Sequence, residues 1–458
     1  MKPKLNVPLL TAIGVSTLIG AGCKKEEPKT NIIFILADDY GWAMSGAYGS
    51  DYYHTPNMNR LAAEGIRFTS AYAACSVSSP TRASIMTGKY PARLHLTDFI
   101  PGNNNNDFPL SQPDWQKWLP LEEITLAEVI KEKDYTTGLF GKWHLSPTKF
   151  GPESLPFYPD KQGFDQYFVI DKPDKNDNPE HDAHKSDSIG NRSAEFIRDN
   201  AGNPFFLFAS FSAIHNPLME KADTISWWNS QPGSEKDENN PIIGAMLSRM
   251  DRNIGKILDA LDKYKLSDNT LVVFFSDNGG LEKDASQTPL RHGKGWLYEG
   301  GIRVPLLIRW PGVIKGGSVS KEVVTSVDFM PTFCELINQE NKPLVDGISL
   351  ISHLKTGNPL PERNIYWHYP HYHNGPPSAA VRSGKWKLIE WYDNSLLDTG
   401  KPAFELYDLE NDLGESVNLA DSMKTITSKL SGDLKKWRQD VNAQMPVPNT
   451  KYSPALSK

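Results

Sequence analysis

The sequence predicts an α/β sandwich built on a mostly parallel sheet, followed by a smaller α+β subdomain. Three observations predict it. Apolar runs that do not alternate recur along the first three quarters of the chain, as strands covered on both faces require. Between them lie segments with apolar residues at three- and four-residue spacing, as helices lying on a sheet require. From about residue 355 the texture changes to short strand-like stretches separated by Gly and Asn/Asp turns.

Composition narrows the function classes. The chain has 458 residues, enough for two domains, or one large domain with an appendage, and a sizeable buried core. With 49 Lys+Arg against 55 Asp+Glu, the formal charge is −6, which leaves no basic footprint for nucleic acid. Three cysteines exclude a disulfide-dense scaffold and a Cys-rich zinc site.

The first element is an address. Lys2 and Lys4 precede a short, Gly-interrupted apolar run that ends in Gly20-Ala21-Gly22-Cys23. Residues 1–22 read as a bacterial export signal and 23–30 as a polar linker. Cys23 resembles the lipidated cysteine of a bacterial lipoprotein, with Gly20 where that motif usually carries Leu; ordinary secretory cleavage is the alternative. The expectation is an exported protein, periplasmic or held at the outer membrane or cell surface by lipid alone.

The body, 31–355, opens on Asn31-Ile32-Ile33-Phe34-Ile35-Leu36-Ala37, a strand ending in Asp38-Asp39. Similar runs at 135–140, 204–211, 271–275 and 304–308 supply further parallel strands. The clearest helix carries Ile243, Met246, Leu247, Met250, Ile254, Ile257, Leu258 and Leu261 on one face, and starts at Asn240-Pro241, a cap followed by proline. In the subdomain 356–458, short strands are expected at 367–370, 379–382, 386–389 and 405–408. A helix presenting Leu430, Leu434 and Trp437 follows, and the Pro-rich segment after Met445 is expected on the surface.

Polar residues stand at predicted strand ends, where ligands of open α/β sheets gather. Asp38-Asp39 follow one strand and Asp277-Asn278-Gly279 another. Brought together they form an all-oxygen nest suited to a hard cation, although Asp, Asn and Gly also cap strands and start turns for purely structural reasons. The segment Ser78-Ser79-Pro80-Thr81-Arg82-Ala83-Ser84 reads as a loop entering a helix, whose first backbone N–H groups favour an anion.

Ser78-x-Pro80-x-Arg82, continued by Ala83-Ser84 and Thr87-Gly88-Lys89, resembles the sulfatase signature Cys/Ser-x-Pro-x-Arg. Further matches follow in the same order: Asp38-Asp39, Thr55-Pro56-Asn57, Gly141-Lys142-Trp143-His144, His215-Asn216-Pro217, Asp277-Asn278-Gly279, Gly293-Lys294-Gly295 and Glu299-Gly300-Gly301-x-Arg303-x-Pro305. The resemblance spans roughly residues 30 to 420. It implies an alkaline phosphatase-like fold and hydrolysis of sulfate monoesters.

It also implies site roles. Ser78 is the position oxidised after translation to Cα-formylglycine, here of the serine type served by an anaerobic maturase. The hydrated aldehyde offers one hydroxyl to attack sulfur and a second through which sulfate leaves, an exit that an unmodified serine lacks. Asp38, Asp39, Asp277 and Asn278, with residue 78, hold Ca²⁺, with Mg²⁺ the second choice. Lys142 and Lys294 add positive charge around the sulfate, and Arg82 orients residue 78. His215, helped by Lys294, is assigned as general acid and His144 as base; histidine pKa values near neutrality suit both. Cys75 and Cys334 read as ordinary structural residues.

The substrate is less legible. His95, Asp98, Arg291, His292, Trp296 and His371 are polar or aromatic groups near expected loops and are the candidate substrate contacts; His373 stands in the same histidine-rich stretch. The resemblance favours exo-acting removal of sulfate from a glycan, with galactose or N-acetylgalactosamine and their O4 position preferred. The alternatives are a phosphodiesterase or phosphonate hydrolase of the same superfamily, and a non-catalytic glycan-binding lipoprotein.

Overall fold

The computed structural model describes residues 28–103, 107–147, 152–170, 173, 176–340 and 343–452. The expected export signal and Cys23 lie outside the described residues. Among the described residues, no helix is long and apolar enough to cross a membrane.

Fourteen strands are formed among the described residues: β1 (Asn31–Ala37), β2 (Ile66–Tyr72), β3 (Leu110–Ser111), β4 (Thr136–Lys142), β5 (Gln166–Ile170), β6 (Phe205–Ser210), β7 (Thr270–Ser276), β8 (Leu306–Arg309), β9 (Ser318–Thr325), β10 (Asn364–Tyr369), β11 (Ser378–Ser383), β12 (Trp386–Trp391), β13 (Phe404–Asp408) and β14 (Val447–Pro448). Eight of them make one sheet in the order β5-β4-β6-β1-β7-β8-β2-β9.

The unbroken apolarity of β1 has its predicted cause. Ile32, Phe34 and Leu36 enter one core cluster, whereas Ile33, Ile35 and Ala37 enter the cluster on the opposite face. Each such side chain contributes about 1.5–3 kcal/mol on full burial, so neither face tolerates a polar residue. The helix Pro241–Lys263 covers the second face with the eight apolar residues read from the sequence, all buried. The Asn240 side-chain oxygen accepts from the backbone N–H groups of Ile242 and Ile243, which sets where the helix begins.

One strand runs against expectation. The strand expected at 304–308 forms as β8, antiparallel to both β7 and β2. A parallel neighbour needs a crossover, usually a full helix. Between β7 and β8 the chain instead makes turns and one short helix, Glu299–Ile302, and re-enters from the near end. Strands β2, β5 and β9 escaped the sequence reading because β5 and β9 are edge strands and all three bury only part of their residues.

The second sheet is antiparallel, β10-β11-β12-β13. One face packs Ala379, Val381, Leu388 and Leu406 against Leu430, Leu434 and Trp437 of the helix Lys424–Asp440. The other packs Ile365, Trp367, Ala380 and Ile389 against Tyr72, Leu297 and Tyr298 of the body. After Met445 the described chain exposes Val447 and Pro448, and it also pairs: β14 lies antiparallel to β3.

Candidate active site

Four adjacent strands, β4, β6, β1 and β7, are parallel and in step: Gly141 lies opposite Ser210, Leu36 opposite Ser210, and Ala37 opposite Ser276. The residues that follow therefore emerge along one sheet edge. Lys142 comes from β4, the His215 loop from β6, Asp38-Asp39 from β1 and Asp277-Asn278 from β7. Glycine makes this crowding possible at two points. A Cβ on Gly141, whose φ is +119°, would lie 1.8 Å from the Ser210 carbonyl oxygen. One on Gly279 would lie 1.8 Å from that of Gly300.

Ser78 opens the helix Ser78–Thr87, entirely buried, at the mouth of this edge. Its Oγ lies 3.1 Å from Asp38 Oδ1, 3.2 Å from Asn278 Oδ1 and 3.5 Å from Lys142 Nζ. Asp38, Asp39 and Asp277 each offer an oxygen within 4.8 Å of the others. Lys142 Nζ donates to Asp38 at 2.7 Å, and Lys294 Nζ reaches Asp39 at 2.6 and 2.9 Å. The Asn278 amide donates to Asp39 at 2.8 Å, leaving its carbonyl oxygen toward Ser78. Three carboxylates, an amide oxygen and a hydroxyl form a donor set that fits a hard divalent cation.

Arg82 is buried beneath the cluster and tied to two strand ends. Its Nε donates to Asp277 at 2.8 Å, and Nη1 donates to the Lys142 carbonyl and Ser210 Oγ, each at 2.8 Å. It thus locks the metal-type carboxylate and two strand ends together, and no contact to Ser78 Oγ is formed among the described residues. Ser210 was missed by sequence reasoning, since a serine ending a strand carries no signal.

The charges account for the titration behaviour. Burial raises the Asp38 carboxyl, but Lys142, then His215, Arg82 and Lys294, hold it well below the usual range. Burial and the neighbouring Asp38 push Asp277 up to about 6, against Arg82 and Lys142. Neutral-range histidines were expected, and the structure corrects this. Burial, with Lys294 and Lys142 nearby, lowers His215 to about 4 despite Asp39 and Asp38. Burial and then Lys142 lower His144 well below its ordinary value. Both rings are held neutral.

Their tautomers are set by neighbours. His144 Nε2 lies 2.6 Å from the Ile100 carbonyl, which requires the proton on Nε2, and Nδ1 is buried without a hydrogen-bond partner. His215 Nδ1 lies 2.6 Å from the Asn216 carbonyl, so Nε2, 3.9 Å from Asp39 Oδ2, is the nitrogen facing the site.

The candidate substrate contacts divide. His292 and Trp296 line a cavity of about 370 Å³ that also touches Lys294. Their rings stack at 4.3 Å, and His292 Nδ1 pairs with Glu282 at 3.0 Å. Of the other four, His371 and Asp98 are corrected to internal contacts, while His95 and Arg291 are half-buried and bond neighbouring residues. His371 is fully buried, 2.8 Å from Thr97 Oγ1. Asp98 is fully buried, accepts from Tyr369 and is raised by burial to about 7. Arg291 donates to Tyr407 and the Glu415 carbonyl. His95 bonds the Asn442 carbonyl at 2.8 Å. Cys75 is buried with its thiol pushed up by burial to about 12, as a structural residue would be.

A mostly parallel sheet whose strand ends gather an oxygen nest, two lysines and a hydroxyl at a helix start defines an anion-ester hydrolase of the alkaline phosphatase-like superfamily. The sulfatase family model matches residues 30–339, and the model for the C-terminal part of N-sulphoglucosamine sulphohydrolase matches 291–440. Human arylsulfatase A is 31% identical, over 91% of this chain and 88% of that protein. The N-acetylgalactosamine-6-O-sulfatase of Bacteroides thetaiotaomicron is 27% identical, over 93% of this chain and 97% of that protein. The crystal structure of Ps i-CgsB in complex with k-i-k-neocarrahexaose superposes with a TM-score of 0.75 at 28% identity, covering 93% of this chain and 94% of that one. The chain belongs to the sulfatase family and is a sulfuric ester hydrolase.

Proposed function

We propose that the protein removes sulfate from a sulfated glycan, using residue 78 in its formylglycine form and Ca²⁺ held by Asp38, Asp39, Asp277 and Asn278. The observation that carries this reading is the position of Ser78 Oγ, within hydrogen-bonding range of two of the proposed ligands and beside Lys142. When present, the formylglycine hydrate supplies the nucleophile and the cation supplies Lewis acidity toward the sulfate oxygens.

The chain's own residues do the rest. Lys142 and Lys294 place ammonium groups at the sulfate site, where preorganised charge stabilises the transition state most. His144, with Nε2–H fixed on Ile100, keeps a lone pair on Nδ1 as the base. His215 holds a proton for the departing alcohol at Nε2 once the ester's negative charge arrives beside it. Arg82 keeps Asp277 in place. The name of the N-acetylgalactosamine-6-O-sulfatase and the neocarrahexaose held by Ps i-CgsB support a sugar leaving group. Galactose or N-acetylgalactosamine sulfate is the preferred substrate, with O4 and O6 both to be tested. Export as a lipoprotein through Cys23, and maturation by an anaerobic-type enzyme acting on Ser78, complete the proposal.

The test joins chemistry to activity. Mass spectrometry of the Ser78 peptide should show a loss of two hydrogens, and the matured protein should release free sulfate from sulfated galactose or N-acetylgalactosamine. Ser78→Ala should fold normally and lose activity by roughly a thousandfold or more, the scale of losing a nucleophile. Turnover by Ser78→Ala near that of the wild type would sink the assignment.

A further inference from the structure

The His144 ring is held at one atom. Its backbone φ is +59°, a conformation that residues with a Cβ adopt at a cost. Among the described residues, the hydrogen bond from Nε2 to the Ile100 carbonyl, at 2.6 Å, is the ring's one polar tether. Nδ1, the nitrogen assigned as the base, is buried and has no such partner. Whatever fixes Ile100 therefore fixes where that lone pair points.

The segment 97–102 that carries Ile100 is pinned from both subdomains. From the body, Ser79 Oγ, one residue past Ser78, accepts from the Ile100 backbone N–H at 3.1 Å. From the C-terminal sheet, Tyr369 at the end of β10 donates its hydroxyl to Asp98 Oδ1 at 2.8 Å. The same oxygen accepts from the Phe99 backbone N–H at 2.9 Å. His371 bonds Thr97 Oγ1 through Nε2 and Gln112 Oε1 through Nδ1. The chain then doubles back over the carboxylate: a Cβ on Gly102, at φ +84°, would lie 3.4 Å from Asp98 Oδ2. Asp98 is the hub around which this segment turns, with Ile100 midway along it.

An acid is a destabilising choice for that hub. Asp98 is fully buried, and its Oδ2 has no hydrogen-bond partner among the described residues. His371 Nδ1, 3.8 Å away, makes no ion pair with it, because burial and the neighbouring His368 hold that ring neutral. Burial raises the carboxyl to about 7, against the bonds from Tyr369, Phe99 and Asn103 and the charge of Lys117. A neutral residue would be easier to bury. Ionisable groups kept in such settings cluster at functional sites, and this one stands two residues from the carbonyl that holds His144.

We propose that Asp98 is a positioning residue: by clasping the segment 97–102 it holds the Ile100 carbonyl that fixes His144, and through Tyr369 the C-terminal subdomain shares in that hold. This rests on the reading of His144 as base given above. The test uses Asp98→Ala, which removes the clasp, and Asp98→Asn, whose amide oxygen can still accept from Phe99 and Tyr369. Tyr369→Phe keeps the ring but not the hydroxyl. Each is compared with wild type and His144→Ala in two ways. Long-range proton–nitrogen spectra of protein with isotope-labelled imidazoles, carrying unmodified Ser78, read the His144 tautomer, with His144→Ala identifying its signals. Steady-state sulfate release, by protein verified as formylglycine-containing, gives kcat and KM on the best of sulfated galactose, sulfated N-acetylgalactosamine and 4-nitrophenyl sulfate.

In the wild type, His144 should show a single neutral form with its proton on Nε2. Asp98→Ala should replace it with exchanging tautomers and lower kcat about tenfold or more, with KM changing less than about threefold. Tyr369→Phe should act in the same direction, by about threefold in kcat, and Asp98→Asn should recover most of the alanine variant's loss. A wild type that already mixes tautomers, wild-type kcat in Asp98→Ala, or a lower kcat with the His144 signals unmoved would overturn the proposal. Should Asp98→Ala fail to fold, Tyr369→Phe decides alone, and wild-type kcat with unmoved signals there overturns it equally. Wild-type kcat in His144→Ala defeats the assignment of the base, and this inference with it, a result seen without any change at Asp98.

Discussion

Asp277 shows how opposing forces are balanced at a single residue. Burial and Asp38 disfavour its charge, Arg82 and Lys142 favour it, and the result is a carboxyl raised to about 6. A divalent cation bound here would add the attraction that the protein alone does not supply. Asp277→Asn keeps the shape but removes one charge and one strong ligand. It should lower kcat/KM by roughly a hundredfold or more, about 3 kcal/mol of transition-state stabilisation. The same variant should lose the rise in Tm expected of the wild type on adding Ca²⁺, because only binding to the folded state stabilises. A D277N protein with wild-type activity and an unchanged calcium-dependent Tm would remove the carboxylate from the metal site.

At the scale of elements, the site is made by strands that approach too closely for any side chain. Gly141→Ala would set a methyl group 1.8 Å from the Ser210 carbonyl, at a φ of +119° that other residues rarely adopt. The ends of β4 and β6 must then part, moving Lys142 away from Asp38. The expected outcome is a loss of about 2 kcal/mol or more in denaturant unfolding and a roughly hundredfold drop in kcat. Much of this geometry was legible. Asp38-Asp39 and Asp277-Asn278 end unbroken apolar runs, so strand ends and candidate ligands were read together. The reversed strand β8 was not, because apolar content says nothing about strand direction. Nor was the inward turn of His371: in an irregular turn, neighbouring histidines look alike in sequence, and only packing sends one into the core and another onto the Gly295 backbone.

On the scale of the whole molecule, the two sheets are joined by a fully buried charge cluster. Lys387 on β12 donates to Glu299 of the body at 2.9 Å and to Glu415 at 2.8 Å, with Arg303 and Arg382 also acting on Glu299. Two carboxylates share one ammonium. Against burial, Lys387, Arg303 and Arg382 hold Glu299 down at about 2, while burial and then Glu299, opposed by Lys387, leave Glu415 raised to about 7. For Glu299 the stabilisation is present above the unfolded value of 4.5 and fades as pH falls toward 2. For Glu415 the sign reverses: the folded protein holds a proton that the unfolded chain releases, so stability falls as pH rises from 4.5 to about 7. Glu415→Gln, measured by urea unfolding across that window, should flatten the decline; an unchanged slope would show that Glu415 does not titrate there.

By itself the sequence determined the two-part α/β architecture, the Ser78 motif and the identities of the charged groups at strand ends, because these follow from local apolar patterning and contiguous residues. Tertiary structure decided which of those groups meet. It placed Arg82 on Asp277, turned His371 inward, and brought His373 and Asn374 onto the Lys294 loop from the other subdomain. Contacts between residues far apart in the chain depend on how two sheets dock, and burial then sets the charge each group carries.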